Sequence, residues 1–180
     1  EESDRLNKIV SKLLLASRIS VGALTLDKEP VQLPFLASKV IRRIQAGTST
    51  HTFELDFEPD FPSVPAEPGL MEEVLTNLID NAIKYSPEGG KISITGRSSG
   101  EEIRVTIADQ GIGIPKEDME RIFERFQRTD RSVVKKVKGI GLGLYICKAI
   151  IEAHRGRIEV ASKVDEGSQF TFTLPLEPSG

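Results

Sequence analysis

The sequence predicts an α+β fold, a two-layer sandwich whose helices cover one face of a mixed, mostly antiparallel sheet. Two observations carry that prediction. Short segments alternate apolar and polar residues in hairpin-like pairs, and separate stretches carry apolar residues at three- and four-residue spacings. Helices laid on one side of such a sheet bury both apolar faces at once.

The first element is an amphipathic helix over residues 4–21, with Leu6, Ile9, Val10, Leu13, Leu14 and Ile19 on its stripe. Its apolar stripe is already running where the sequence opens, as at the end of a longer bundle or coiled coil; an ordinary packing helix is the alternative. Gly22 ends it. Pro30 and Pro34 punctuate a linker over 22–33 that carries one short strand, and a helix follows near 35–46. The expected division is therefore residues 1–22 and residues 23–180. Thr52 to Phe57 alternates as a half-buried strand, and the proline-rich run from Pro59 to Pro68 turns the chain. A helix is expected from Gly69 to about Tyr85, then a hairpin of Lys91–Gly96 and Glu101–Ala108 around Ser98-Ser99-Gly100. A short helical piece is expected near Asp118–Phe126, and a helix from Leu144 to Ala153 that Gly156 stops. Arg157–Ser162 and Gln169–Leu174 pair around Asp165-Glu166-Gly167.

Composition narrows the function. The chain of 180 residues is 38% hydrophobic and 28% charged, which excludes whole-chain disorder. A single cysteine leaves no disulfide framework or Cys-rich zinc site, and points to a reducing, cytoplasmic setting. No apolar run approaches the length of a membrane span, so any anchor would lie outside this sequence. A formal charge of -3 argues against nucleic-acid binding.

Three segments hold candidate chemistry. On the helix around Asn81, Glu73, Asn77, Asn81 and Lys84 share an arc of about 80°, opposite Val74, Leu75, Leu78, Ile79, Ala82 and Ile83. Asn is a mediocre helix former, so two of them on one polar face suggest oxygen ligands rather than a solvated surface. Asp109, Gly111 and Gly113 follow a strand, where a carboxylate can accept from an amino group while glycine backbone lies flat on a planar ligand; a plain turn is the alternative. Gly139-Ile140-Gly141-Leu142-Gly143 opens the helix at Leu144 and forms an anion site of converging amides. It is neither a Walker A loop nor a Rossmann fingerprint. Between the glycine sites lie Lys116, Arg121, Arg125, Arg128, Arg131, Lys135, Lys136 and Lys138, a local basic excess suited to polyphosphate or simply to a solvated face.

Taken in order, Asn77–Pro87, Asp109–Pro115, Ile122–Phe126 and Gly139–Leu144 resemble the N, G1, F and G2 boxes of sensor histidine kinases. The resemblance runs from about residue 24 to the end and implies the Bergerat ATP-binding fold. Residues 4–21 look like the end of the second helix of that family's dimerisation bundle. The resemblance implies ATP and Mg²⁺, with Asn81 on the metal and Asn77 near the phosphates or the metal's waters. It implies Lys84 on a phosphate, Tyr85 over the nucleoside, Asp109 on the adenine amino group, and Gly111, Gly113 and Ile114 against the base. Arg128 would be a lid residue on the γ-phosphate, with Phe123 and Phe126 anchoring the lid in apolar surface. Gly139, Ile140, Gly141, Leu142, Gly143 and Leu144 would cradle the phosphates.

The implied partners are a dimerisation domain carrying the phosphoacceptor histidine and a response regulator receiver domain. The full-length protein would be a homodimer, and this stretch alone a monomer or weak dimer. Related type II topoisomerase ATPases have a Glu four residues before the metal-binding Asn. Here that place holds Asn77, an amide that cannot take a proton, which favours transfer over hydrolysis. Glu73 stands as a remoter alternative base. His51 and His154 do not fit the acceptor pattern, and Cys147 reads as core. Ala66-Glu67 replaces a frequent Gly-Asp, which bears on a helix cap alone. A hydrolytic relative and a nucleotide-gated interaction module are the rival readings.

Overall fold

The computed structural model describes residues 2–128 and 139–177. Its elements are α1 (Glu2–Ser20), β1 (Glu29–Val31), α2 (Leu33–Gln45), β2 (His51–Phe57), β3 (Val64–Ala66), α3 (Pro68–Lys84), β4 (Gly90–Ser98), β5 (Glu102–Asp109), α4 (Lys116–Met119), α5 (Gly143–Ala153), β6 (Arg157–Lys163) and β7 (Gly167–Pro175). A five-stranded sheet runs in the order β2-β4-β5-β7-β6, with β2 parallel to β4 and every other pair antiparallel. The expected α+β sandwich with a mixed, mostly antiparallel sheet is what forms.

Alternation explains the sheet. Ile92 and Ile94 on β4, Ile103, Val105 and Ile107 on β5, and Phe170, Phe172 and Leu174 on β7 are buried. The intervening residues meet across the opposite face, where Thr106 and Thr171 share a 2.9 Å hydrogen bond and Arg104 reaches Glu159 at 3.1 Å. Against the buried face lie Met71, Val74, Leu75, Leu78, Ile79 and Ala82 of α3 and Ile146, Cys147, Ile150 and Ile151 of α5, with α2 beside α3. Burying a side chain of this size contributes about 1.5–3 kcal/mol, so this layer supplies most of the folding drive.

Four local features differ from the expectation. Val64–Ala66, inside the proline-rich run, pairs with Glu29–Val31 as a two-stranded ribbon; Pro65 and Pro30 face each other there, where a missing N–H is tolerated. The helical piece near Asp118–Phe126 is only the short α4 followed by turns, because the Phe126 amide leaves the helical path and donates to Gly141 O at 2.9 Å. Phe126 itself has φ 60°. Past α5 the left-handed residue is Arg155, φ 61°, rather than Gly156. Gly156 is needed for closeness instead, since a Cβ there would lie 1.9 Å from Thr173 O.

The α3 cap and both histidines have defined partners. Glu67 caps α3 by accepting the Leu70 N–H at 2.6 Å, with Pro68 in the first turn. His154 accepts the Glu67 N–H at Nε2, 3.0 Å, and Nδ1 lies 2.7 Å from Ile150 O, which makes Nδ1 the donor of a neutral ring. His51 lies 2.9 Å from Thr48 Oγ1 through Nδ1 and 2.9 Å from Ser86 O through Nε2. α1 rests on α5, with Ala16 buried and Leu15 and Ile19 packed against the core, while Leu6, Val10, Leu13 and Leu14 are exposed. Among the described residues no helix is long and apolar enough to cross a membrane.

Candidate functional site

Two adjoining cavities lie between α3, α5 and the segment that follows β5. They share Asn81, Tyr85, Ile122, Gln127, Arg128 and Leu144 as a common wall. The inner one has about 580 Å³ of open space and is walled by Asp109, Ile114, Ser168 and Phe170. The outer one, about 560 Å³, is walled by Lys84, Lys12 and the run Gly139–Leu144.

Asp109 ends β5 and is 9% exposed. Burial pushes its carboxyl above the usual carboxylate range, while backbone N–H donation from Gly111 and Ser168 opposes that rise. The Gly111 N–H donates to Oδ1 at 2.8 Å. The two glycines of this loop turn out to serve the protein's own backbone. A Cβ on Gly111 would lie 1.9 Å from Tyr85 O, and one on Gly113, at φ 68°, would lie 2.1 Å from Lys163 O. Neither glycine lines the inner cavity; they let the loop press against the end of α3 and against β6. Hydrogen bonds hold it there, from Ile112 N to Tyr85 O at 2.9 Å and from Ile114 N to Ser162 Oγ at 2.8 Å.

The outer cavity is built by the start of α5. Leu142 caps that helix without a side-chain hydrogen bond, so its first amides face the cavity as donors. Gly141, at φ 70°, is held under the Phe126–Gln127 backbone, and a Cβ there would meet Phe126 C at 2.8 Å. A Cβ on Gly139 would meet nothing within 4 Å among the described residues. Lys84 is half-buried, 3.9 Å from Asp80; burial lowers its pKa, the Asp80 charge opposes this, and the nearby Lys12 and Lys8 charges add to the lowering. Burial raises the Tyr85 hydroxyl pKa, with the Arg128 charge acting against it. Among the described residues no acidic side chain lines this outer cavity.

Some expected residues lie elsewhere. Asn77 is 2% exposed and lines neither cavity; its amide donates to Glu73 Oε1 at 3.0 Å, and its Oδ1 sits 3.3 Å from where a Gly143 Cβ would be. It therefore packs in the α3–α5 seam rather than on the open polar face its spacing suggests. Phe123 also stands behind the cavity, edge-on to Phe170 with ring centroids 6.2 Å apart. Phe126 does not anchor: it is 63% exposed. Cys147 is buried and its thiol pKa is pushed up by burial, as a core residue's would be. Arg131, Lys135, Lys136 and Lys138 lie outside the described residues.

Residues 66–178 match the family model described as histidine kinase-, DNA gyrase B-, and HSP90-like ATPase. The chain belongs to this family. Within it, the chain is an ATP-binding catalytic domain of the sensor histidine kinase type. It is 38% identical over 181 residues to the adaptive-response sensory kinase SasA of Nostoc, covering 99% of this chain and 45% of that kinase. It is 36% identical over 179 residues to the sensor histidine kinase WalK of Bacillus subtilis, covering 98% and 29% respectively. Full-length ShkA, solved in complex with AMPPNP, superposes with a TM-score of 0.84 at 27% identity, covering all of this chain and 38% of that one. The chain thus spans less than half the length of these relatives.

Asp118, Gln127, Ser168 and Phe170 also line this catalytic domain's cavity without having been given a role from sequence, beside Arg121 of the basic excess and Ile122 of the third box. Of these four, Ser168 had a local signal, in Glu166-Gly167-Ser168 before the last strand.

Proposed function

We propose that this catalytic domain presents the γ-phosphate of ATP to a histidine on a separate helical dimerisation domain, for relay to an aspartate of a response regulator. The domain division at residue 22 and the cytoplasmic setting belong to the same reading. The observation that carries it is the polarity of the cavity, a buried carboxylate at one end and cations with an uncapped helix start at the other.

In this arrangement Asp109 accepts a hydrogen bond from the adenine amino group; guanine presents a carbonyl at that position and would oppose the carboxylate. Ile114 and Phe170 supply the apolar walls for the base, and Tyr85 and Leu144 the passage between the two ends. The amides of Gly141 to Leu144, with Lys84 and Arg128, hold the phosphates. Asn81 faces both cavities and its side chain makes no hydrogen bond among the described residues, which leaves a neutral oxygen donor at the junction. Those residues contain no cluster of three His, Cys, Asp or Glu, so a metal here would take phosphate oxygens and waters beside one amide, the habit of Mg²⁺. When bound, that ion supplies charge neutralisation for phosphoryl transfer. Asn77 acts by setting the α3–α5 spacing behind the phosphates.

Hydrolysis would need a base near the γ-phosphate. Asn77 cannot accept a proton, and Glu73 is engaged by the Asn77 amide. Transfer to a histidine nitrogen instead forms the N–P bond as the bond to the ADP oxygen breaks, and the acceptor must come from elsewhere, because His51 and His154 each have both ring nitrogens engaged. The test is incubation with γ-labelled ATP. Label should appear on an added helical domain bearing the acceptor histidine and not on this chain; steady release of inorganic phosphate by the isolated chain would support the hydrolytic alternative. Asn81→Ala should weaken Mg·ATP far more than metal-free ATP, and equal losses would remove the metal assignment.

A further inference from the structure

α1 lies outside the family-matched residues 66–178, yet it contributes to the cavity wall. Lys12 is the contributing residue. On a helix that is exposed along most of its length, it is half-buried, and it stands at the outer cavity beside Lys84, Arg128 and the glycine turn. Among the described residues no carboxylate pairs with it, whereas Lys84 has Asp80 at 3.9 Å. Bringing Lys12 towards Lys84 costs electrostatic energy: burial is the main cause of the lowered Lys84 pKa, Asp80 opposes it, and the Lys12 and Lys8 charges add to the lowering. The docked position of α1 is therefore held by other contacts. Ala16 is buried on α5, and Arg125 donates to Ser20 Oγ at 3.0 Å while its guanidinium sits 5.2 Å over the Tyr145 ring. These tie the end of α1 to the segment covering the cavity and to α5.

We propose that Lys12 is a polyphosphate-binding residue supplied by the N-terminal helix, so that nucleotide binding and docking of α1 on α5 reinforce each other. A polyanion in the outer cavity offsets the repulsion between Lys12 and Lys84 and attracts both. By linkage, whatever affinity Lys12 adds for ATP must reappear as added stability of docked α1. Adenosine reaches only the inner cavity and gains nothing from α1. The inference rests on the reading that the phosphates occupy the outer cavity.

The experiment is calorimetric titration of ATP and of adenosine, each with magnesium, into the parent chain, Lys12→Gln and Ala16→Asp, with hydrogen exchange of residues 5–20 followed in parallel. Gln is a comparable helix former, so Lys12→Gln keeps α1 while removing the charge. Ala16→Asp displaces α1 without touching the cavity. Expected are a loss of about fivefold or more in ATP affinity for both variants, unchanged adenosine affinity, and slower exchange in α1 on adding ATP to the parent only. ATP binding by Lys12→Gln within twofold of the parent, or ATP leaving α1 exchange unchanged in the parent, overturns the inference. A parent that binds ATP no more tightly than adenosine instead overturns the reading beneath it.

Discussion

The Phe126 amide donates to the Gly141 carbonyl at 2.9 Å, joining the segment that covers the cavity to the glycine turn that floors it. The bond works only because Gly141 sits at φ 70° with no side chain, directly under the Phe126–Gln127 backbone. Cover and floor move together, so damage to the turn should register at both.

Gly141→Ala places a Cβ 2.8 Å from Phe126 C in a left-handed conformation that costs about 1–2 kcal/mol by itself. ATP affinity should fall about tenfold or more. Gly139→Ala, whose Cβ would meet nothing within 4 Å among the described residues, should stay within about twofold, and ATP titration of the pair reads the contrast.

Gly111→Ala tests whether this loop serves the fold. The added Cβ would lie 1.9 Å from Tyr85 O and break the Ile112–Tyr85 hydrogen bond. Urea unfolding of the ligand-free chain should show a loss of about 2–3 kcal/mol. Unchanged stability with lost ATP binding would return Gly111 to a ligand-facing role.

Asp109→Asn should separate binding from stability. Losing one charged hydrogen bond to adenine should weaken ATP by about 1–3 kcal/mol. The ionised carboxylate is held against desolvation, its folded pKa being raised, so at neutral pH it costs the fold stability. The ligand-free variant should therefore unfold at or above the parent's midpoint, and a clear drop would show that Asp109 is chiefly structural.

His154 sets an acid limit. Burial lowers its pKa below the ordinary 6.5, the Lys28 charge adds to the fall, and donation to Ile150 O and the Glu67 charge oppose it. The unfolded chain takes up the proton first as pH falls through about 6.5, so stability declines from there until the folded-state pKa is reached. Denaturant unfolding from pH 7 to about 5 should show this slope, and a shallower one in His154→Leu.

How much of this was legible beforehand depends on what each feature needs. Strands β4, β5 and β7 and the core face of α3 follow from period alone, since alternation and 3.6-residue spacing are local. The order of the boxes was legible, and Asp109 and Lys84 line two adjoining cavities that share Asn81. What escaped is tertiary. β3 hides among prolines because its partner β1 is more than thirty residues away in sequence, as the Glu29–Ala66 register shows. Asn77 shares an arc with Asn81, but the α5 start covers it. Ile122 and Phe123 have helical spacing, yet the Phe126 amide is drawn off by Gly141. Lys12 carries no motif; its place follows only from where α1 docks.

The central claim is that one cavity reads adenine at Asp109 and holds phosphates at the start of α5. Calorimetric titration of the folded chain with magnesium and either ATP or GTP tests it most directly. Saturable ATP binding at one site per chain, with GTP weaker by roughly tenfold or more, is the predicted result. Equal affinity for the two nucleotides, or no heat with ATP, would contradict it.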